Sequence, residues 1–85
     1  MPEPVFTDAY RELLRLMVEA RKEAGVTQVQ LAERLGSPQP FVSYFERGER
    51  RVDVVEFVAI ARALGIEPEA LFTKLVSRLP DEIEI

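Results

Sequence analysis

The sequence predicts an all-α chain of five helices, and three observations predict it. Apolar residues recur at three- and four-residue steps through most of the chain, the period of a helix face. The four glycines, Gly25, Gly36, Gly48 and Gly65, each follow such a run, where a residue that accepts the left-handed conformation ends a helix. Short polar residues that cap helix starts stand ahead of the runs. The one alternating stretch is the terminal DEIEI, which permits a short strand but at a chain end is more often frayed.

The first helix is expected from Asp8 to Ala24, started by Thr7 or Asp8 and stopped by Gly25. Leu13, Leu16, Met17, Ala20 and Ala24 form one face, and Tyr10, Leu14 and Val18 form a second stripe beside it. The second helix begins at Thr27, where Thr27 and Gln30 have the spacing of a capping box, and ends at Leu35 before Gly36. Leu31, Ala32 and Leu35 point inward.

The third helix is expected over Ser37 to Glu46. Ser37 would be the N-cap, which puts Pro38 at the first helical position and Pro40 at the third, where missing N–H groups cost little. Val42 and Phe45 face the core. Asp53 and Glu56 make a second capping box at the fourth helix, with Val52 and Phe57 as a hydrophobic staple across it. Phe57, Ile60, Ala61 and Leu64 suffice for its inner face, so Val54, Val55 and Val58 are partly surplus. The fifth helix runs from about Pro68 to Leu79, with Ile66 and Leu71 as its staple and Pro80 as its stop.

The length of 85 residues suits one small domain spanning 1–85, near the size at which a second subunit adds needed burial. The chain has no Cys and no His, which excludes disulfides, thiolate and imidazole chemistry and the usual zinc ligands. No metal, cofactor or enzymatic activity is expected. The first residues lack the apolar core of a secretory signal, and no run approaches the ~20 apolar residues of a membrane helix. A cytoplasmic protein is expected.

Net charge is −4, which by itself disfavours a nucleic-acid partner. The charge is uneven. Residues 27–51 carry Arg34, Arg47, Arg50 and Arg51 against Glu33, Glu46 and Glu49, a local +1, whereas residues 52–85 carry −4. Beyond a screening length of ~10 Å the local balance governs contact with a partner.

The second and third helices, joined by a tight glycine turn, make a helix-turn-helix unit. Such a unit holds the N-terminal residues of its second helix toward a major groove ~12 Å wide. The run TQVQLAERLGSPQPFVSYFERGER resembles the DNA-binding domains of the lambda repressor and Cro class, the xenobiotic-response-element (XRE) family. The matching positions are Thr27-Gln28, Leu31-Ala32, Leu35-Gly36, Val42 and Glu46-Arg47-Gly48, with ARALGIEPEALF resembling the family's last two helices. The resemblance covers roughly residues 10–76 and implies a five-helix lambda-repressor-like fold and a double-stranded DNA partner.

The resemblance also implies roles. Gln39, Pro40 and Tyr44 fall at base-reading positions, and Ser43 lies beside them. Gln28 contacts a phosphate and braces the recognition helix, and Ser37 and Arg47 are placed for phosphates. Arg21 and Glu46 form a structural pair. Relatives often carry a small polar residue in place of Pro40 and Lys in place of Tyr44. Base reading is therefore expected to lean on Gln39, whose amide can pair bidentately with adenine. Arg50 and Arg51 follow the recognition helix and are expected to grip phosphate or reach the minor groove.

Phe41 is expected to pack on the protein surface rather than wedge into a groove, and Arg34 is equally a solvated residue or a phosphate contact. Phe72, Leu75, Val76 and Leu79, followed by Ile83 and Ile85, extend an apolar stripe past the family's shared end. With Val58, the residues Leu75, Val76 and Leu79 are the candidates for a homodimer interface, unless they pack on the second stripe of the first helix. The leading expectation is a sequence-specific transcription regulator of bacterial or phage type that binds a near-palindromic operator as a homodimer, with no room for a ligand-sensing domain. The competing expectation is a protein-interaction module such as an antitoxin or antagonist.

Overall fold

Among residues 7–84, which the computed structural model describes, five helices follow in order: α1 (Asp8–Glu23), α2 (Gln28–Leu35), α3 (Pro40–Glu46), α4 (Val54–Ala63) and α5 (Pro68–Arg78). Side-chain caps start three of them. The Thr7 hydroxyl accepts the Tyr10 N–H at 3.2 Å. At α2 the box closes both ways: Thr27 Oγ1 accepts the Gln30 N–H at 3.0 Å and Gln30 Oε1 accepts the Thr27 N–H at 2.9 Å. Asp53 and Glu56 do the same at α4, at 2.7 and 3.0 Å. Each cap satisfies donors that the helix itself leaves open and contributes about 1 kcal/mol.

The start of α3 differs from the expectation. The helix begins at Pro40, not after Ser37, and Gln39 precedes it with no side-chain cap. Two local facts account for this. A cap at Ser37 would use the N–H of the second or third residue on, and the third is Pro40, which has none. Ser37 is also already committed to α2. Its N–H reaches back to the Ala32 carbonyl at 3.0 Å, closing α2 over Gly36, whose φ of 65° is the left-handed value that closure needs. Pro38 and Gln39 then form a turn, with the Phe41 N–H on the Pro38 carbonyl at 3.0 Å. Pro40 thus takes the first helical position, where the missing donor costs little.

The core is assembled from all five helices. Leu16 and Met17 of α1, Leu31 of α2, Val42 and Phe45 of α3, Ile60 of α4 and Leu71 of α5 are all buried. Burying Val42 and Phe45 fixes the roll of α3, so the opposite side of that short helix faces outward. Helix α3 packs on α1 and α2, α4 packs on α2 and α5, and α5 returns to α1. The last pairing is tied by Arg78 and Glu19 at 2.7 Å.

Smaller differences have simple causes. Ala24, expected on the inner face of the first helix, is exposed because α1 stops at Glu23 and Ala24 is its cap. Leu14 is buried, while Tyr10 and Val18 of the same stripe are half-buried. Residues 81–84 form no strand, and Ile85 lies outside the described residues, as do the first six residues on which the reading of the N-terminus rested. Among the described residues no helix is long and apolar enough to cross a membrane.

Candidate nucleic-acid interface

The outward side of α3 gathers the four residues expected to read bases. Gln39 and Ser43 lie one turn apart, as do Pro40 and Tyr44, so the two pairs stand side by side on one face. Gln39 and Pro40 are exposed, Tyr44 is 45% exposed, and Ser43 is half-buried. No buried side-chain polar atom of the described residues lacks a partner.

Three helices hold that face in position. Arg21 of α1 grips Glu46 at the end of α3, with Nε donating to Oε2 at 2.7 Å and Nη2 to Oε1 at 3.1 Å. The remaining nitrogen of Arg21 donates to the Val26 carbonyl at 2.9 Å, in the turn ahead of α2. Gln28 of α2 adds its amide N–H to Glu46 Oε1 at 2.9 Å. The Arg21 and Glu46 side chains are only 11% and 6% exposed, so their charges are satisfied within the protein. Gln28 is thereby oriented: one N–H of its amide is used on Glu46, and its second N–H is the donor left to turn elsewhere.

The segment after α3 carries three arginines, all held by neighbours. Arg47 pairs with Glu49 at 2.9 Å and lies 5.5 Å from the centre of the Tyr44 ring. Arg50 is forked by Glu56 at 2.8 and 3.0 Å, donates to the Arg51 carbonyl at 3.0 Å and lies over Phe41 at 4.8 Å. The Glu56 hydrogen bonds hold the Arg50 guanidinium still more firmly protonated than usual. In return Arg50, and then the Asp53 N–H, hold the Glu56 carboxyl below the ordinary carboxylate range. Arg51 stacks over Tyr10 at 4.3 Å.

Sequence reasoning missed several of these supports. Tyr10 accepts the Val52 N–H at 2.9 Å through its hydroxyl, tying the loop after α3 to the first turn of α1. Its apolar spacing marked it only as a stripe residue. Glu49 and Glu56 were read as loop charge and capping residue, with no sign that each faces an arginine. Arg34 is exposed, and its Nη1 donates to the Ala63 carbonyl at 2.9 Å, satisfying the end of α4, a partner the sequence did not suggest. Phe41 is half-buried and packs on Phe45, with ring centres 5.4 Å apart. Ser37 aims its hydroxyl at the Ala32 and Pro38 carbonyls, at 3.4 Å each.

The apolar stripe of the last helix is divided. Leu75 packs in part on the chain's own core, and Leu79 and Val58 are half-buried. Phe72 and Val76 are 55% and 54% exposed, and Val54 and Val55 at the start of α4 are 79% and 77% exposed. Val54, Phe57, Val58 and Phe72 line a shallow apolar groove between α4 and α5, on whose floor Phe57 and Phe72 meet edge to face at 6.1 Å.

Comparison with known proteins gives this arrangement its context. A helix-turn-helix family profile matches residues 17–71. The fold superposes with a TM-score of 0.79 on an XRE-family like protein from Pseudomonas syringae pv. tomato, at 51% identity, over 85% of this chain and 88% of that one. The restriction-modification controller protein C.AhdI of Aeromonas hydrophila superposes with a TM-score of 0.64 at 36% identity, over 78% of this chain and all of that one (100%). An uncharacterized HTH-type transcriptional regulator of Sinorhizobium fredii is 38% identical over 53 residues, covering 62% of this chain and 69% of the relative. Other curated relatives are longer, and the chain spans 44% of one from Mycobacterium tuberculosis. The profile match and the all-helical fold agree: the chain belongs to the XRE-type helix-turn-helix family of transcription regulators, a family of DNA-binding proteins rather than enzymes.

Proposed function

We propose that this chain binds a near-palindromic operator as a homodimer, reading bases with Gln39, Pro40, Ser43 and Tyr44. The carrying observation is the outward face of α3, on which Gln39, Pro40 and Tyr44 are exposed, on a helix whose far end is clamped by Arg21 and Gln28. Gln39 is the one side chain of that set with a bidentate amide, so it supplies most of the discrimination. Tyr44 adds a single hydroxyl, and Pro40 offers only apolar contact, as to a thymine methyl.

Phosphate contacts come from Gln28, Ser37, Arg47, Arg50 and Arg51 around the edge of the same face. The Arg50 fork with Glu56 gives that residue a second duty, holding the loop against α4. The homodimer is supported by Val54, Val58 and Phe72, which line the α4–α5 groove, and by the exposed Val76 of α5, the helix that also carries Leu75 and is capped by Leu79. Two recognition helices in such a dimer would sit one DNA turn apart, about 34 Å. The protein would act in the cytoplasm.

Selection of bound duplexes from a random pool at moderate salt, followed by sequencing, tests this reading. A two-fold related half-site centred on an adenine read by Gln39 is the expected result. The same exposed apolar surface, with the net charge of −4, supports a second reading, an antitoxin or antagonist that docks on another protein. Failure to enrich any sequence in the selection would favour that second reading.

A further inference from the structure

Glu49 lies in the turn after α3, and its backbone N–H closes that helix on the Tyr44 carbonyl at 2.8 Å. Nothing in the turn requires an acidic side chain. The carboxylate is nevertheless laid against Arg47, with Oε2 at 2.9 Å from Nε and Oε1 at 3.3 Å from Nη2. Two parallel contacts of this kind are how a guanidinium holds a carboxylate or a phosphate. Both side chains are more than half exposed, at 54% and 56%, so the pair adds little to folding stability. Its position is more telling than its strength. Arg47 lies over the Tyr44 ring, which puts the pair at the rim of the base-reading face.

Glu56 makes an instructive contrast. It forks Arg50 in the same way, but its carboxylate also accepts the Asp53 N–H and so starts α4. Among the described residues Glu49 has Arg47 as its side-chain partner and no such second duty.

We propose that Glu49 is an affinity-setting residue: in the free protein its carboxylate fills the fork of Arg47, competes there with backbone phosphate, and lowers affinity for DNA of every sequence. The inference rests on the DNA-binding reading above. Attraction to phosphate is blind to sequence, whereas base contacts are not. Arg47 would grip phosphate in operator and bulk complexes alike, so the competition lowers both affinities together and keeps binding to bulk DNA weak and reversible. Binding then requires Arg47 to exchange its carboxylate for a phosphate, with Glu49 swinging away through its own exposed rotamers.

The test is titration of a labelled mixed-sequence duplex across a range of salt with wild type, Glu49→Gln, and Glu49→Gln combined with Arg47→Ala. Circular dichroism melts check that all three fold. Glu49→Gln is expected to bind about two- to fivefold tighter at low salt. Its slope of log affinity on log salt should steepen by up to about 0.9, the value for one added phosphate contact. In the Arg47→Ala background the gain should vanish, because it passes through that side chain. Wild-type binding with an unchanged Glu49→Gln overturns the proposal alone. So does a gain that survives the loss of Arg47, which would be a field effect of the whole protein. If no variant shows salt-dependent binding, the DNA-binding reading falls and this inference falls with it.

Discussion

Arg21 and Glu46, 25 residues apart, meet in a two-pronged pair at 2.7 and 3.1 Å that fastens the end of the recognition helix to the first helix of the fold. The pair is largely shielded from water, and Gln28 shares the same carboxylate. Replacing one partner leaves the other charge shielded and unmatched, at a cost of about 3–5 kcal/mol. Arg21→Met should therefore lower the urea midpoint sharply. Adding Glu46→Gln to it should recover part of the loss, because the stranded charge is then gone. Additive losses in the double variant would mean that the two residues act independently.

Base reading and phosphate gripping separate in how they fail. Gln39→Ala should relax preference at one base pair by about 1–3 kcal/mol and leave the other positions intact. Arg51→Ala should weaken binding to all duplexes alike and reduce the salt slope by about 0.9. Parallel titrations of the selected operator and its single-base variants distinguish the two patterns.

The dimer surface is best probed away from the core. Leu75 packs partly on the chain's own interior, so a charge there would strain the monomer as well. Phe72, at 55% exposure, is the better site. Phe72→Asp should shift sedimentation toward monomer while the circular dichroism spectrum stays helical. A folded variant that remains dimeric would move the interface to another face.

Acid should weaken the fold through two surface pairs. Arg50 holds Glu56, and Arg78 holds Glu19, below the ordinary carboxylate range. Each carboxylate thus binds its proton less readily folded than unfolded. The stability it supplies is present in full above the ordinary carboxylate range and is lost as pH falls through the lower, folded value. Denaturation midpoints followed downward in pH should fall less steeply in Glu19→Gln, Glu56→Gln than in wild type. Equal slopes would mean that other carboxylates carry the acid response.

Much of the fold could be read from the chain because its signals are local. A cap, a stop and an apolar period each involve residues within about four positions of one another, the reach of one helical turn. Thr27 with Gln30, Asp53 with Glu56, and Gly36 after Leu35 needed no knowledge of the rest of the molecule. The inward turn of Val42 and Phe45 followed from the same period, and with it the outward turn of Gln39 and Ser43.

The start of α3 marks where local reading stops. Ser37 looks like a cap in its own segment, but its N–H belongs to the closure of α2, and Pro40 has no proton to offer it. The arginines show the same limit more widely. Arg34 finds the Ala63 carbonyl 29 residues away, and Tyr10 reaches Val52 across 42. A long cationic side chain will satisfy whichever acceptor the fold brings near, and sequence spacing does not say which one that is. The sequence by itself therefore determined five helices, the caps of α1, α2 and α4, and the face of α3 that turns outward. Only the tertiary structure decided that Arg34 holds the end of α4, that Arg50 is forked by Glu56, and that Arg47 meets Glu49 at the rim of the reading face. The physical reason is range: backbone hydrogen bonds and apolar period act within a turn, whereas charge partners are chosen by the packing of whole helices.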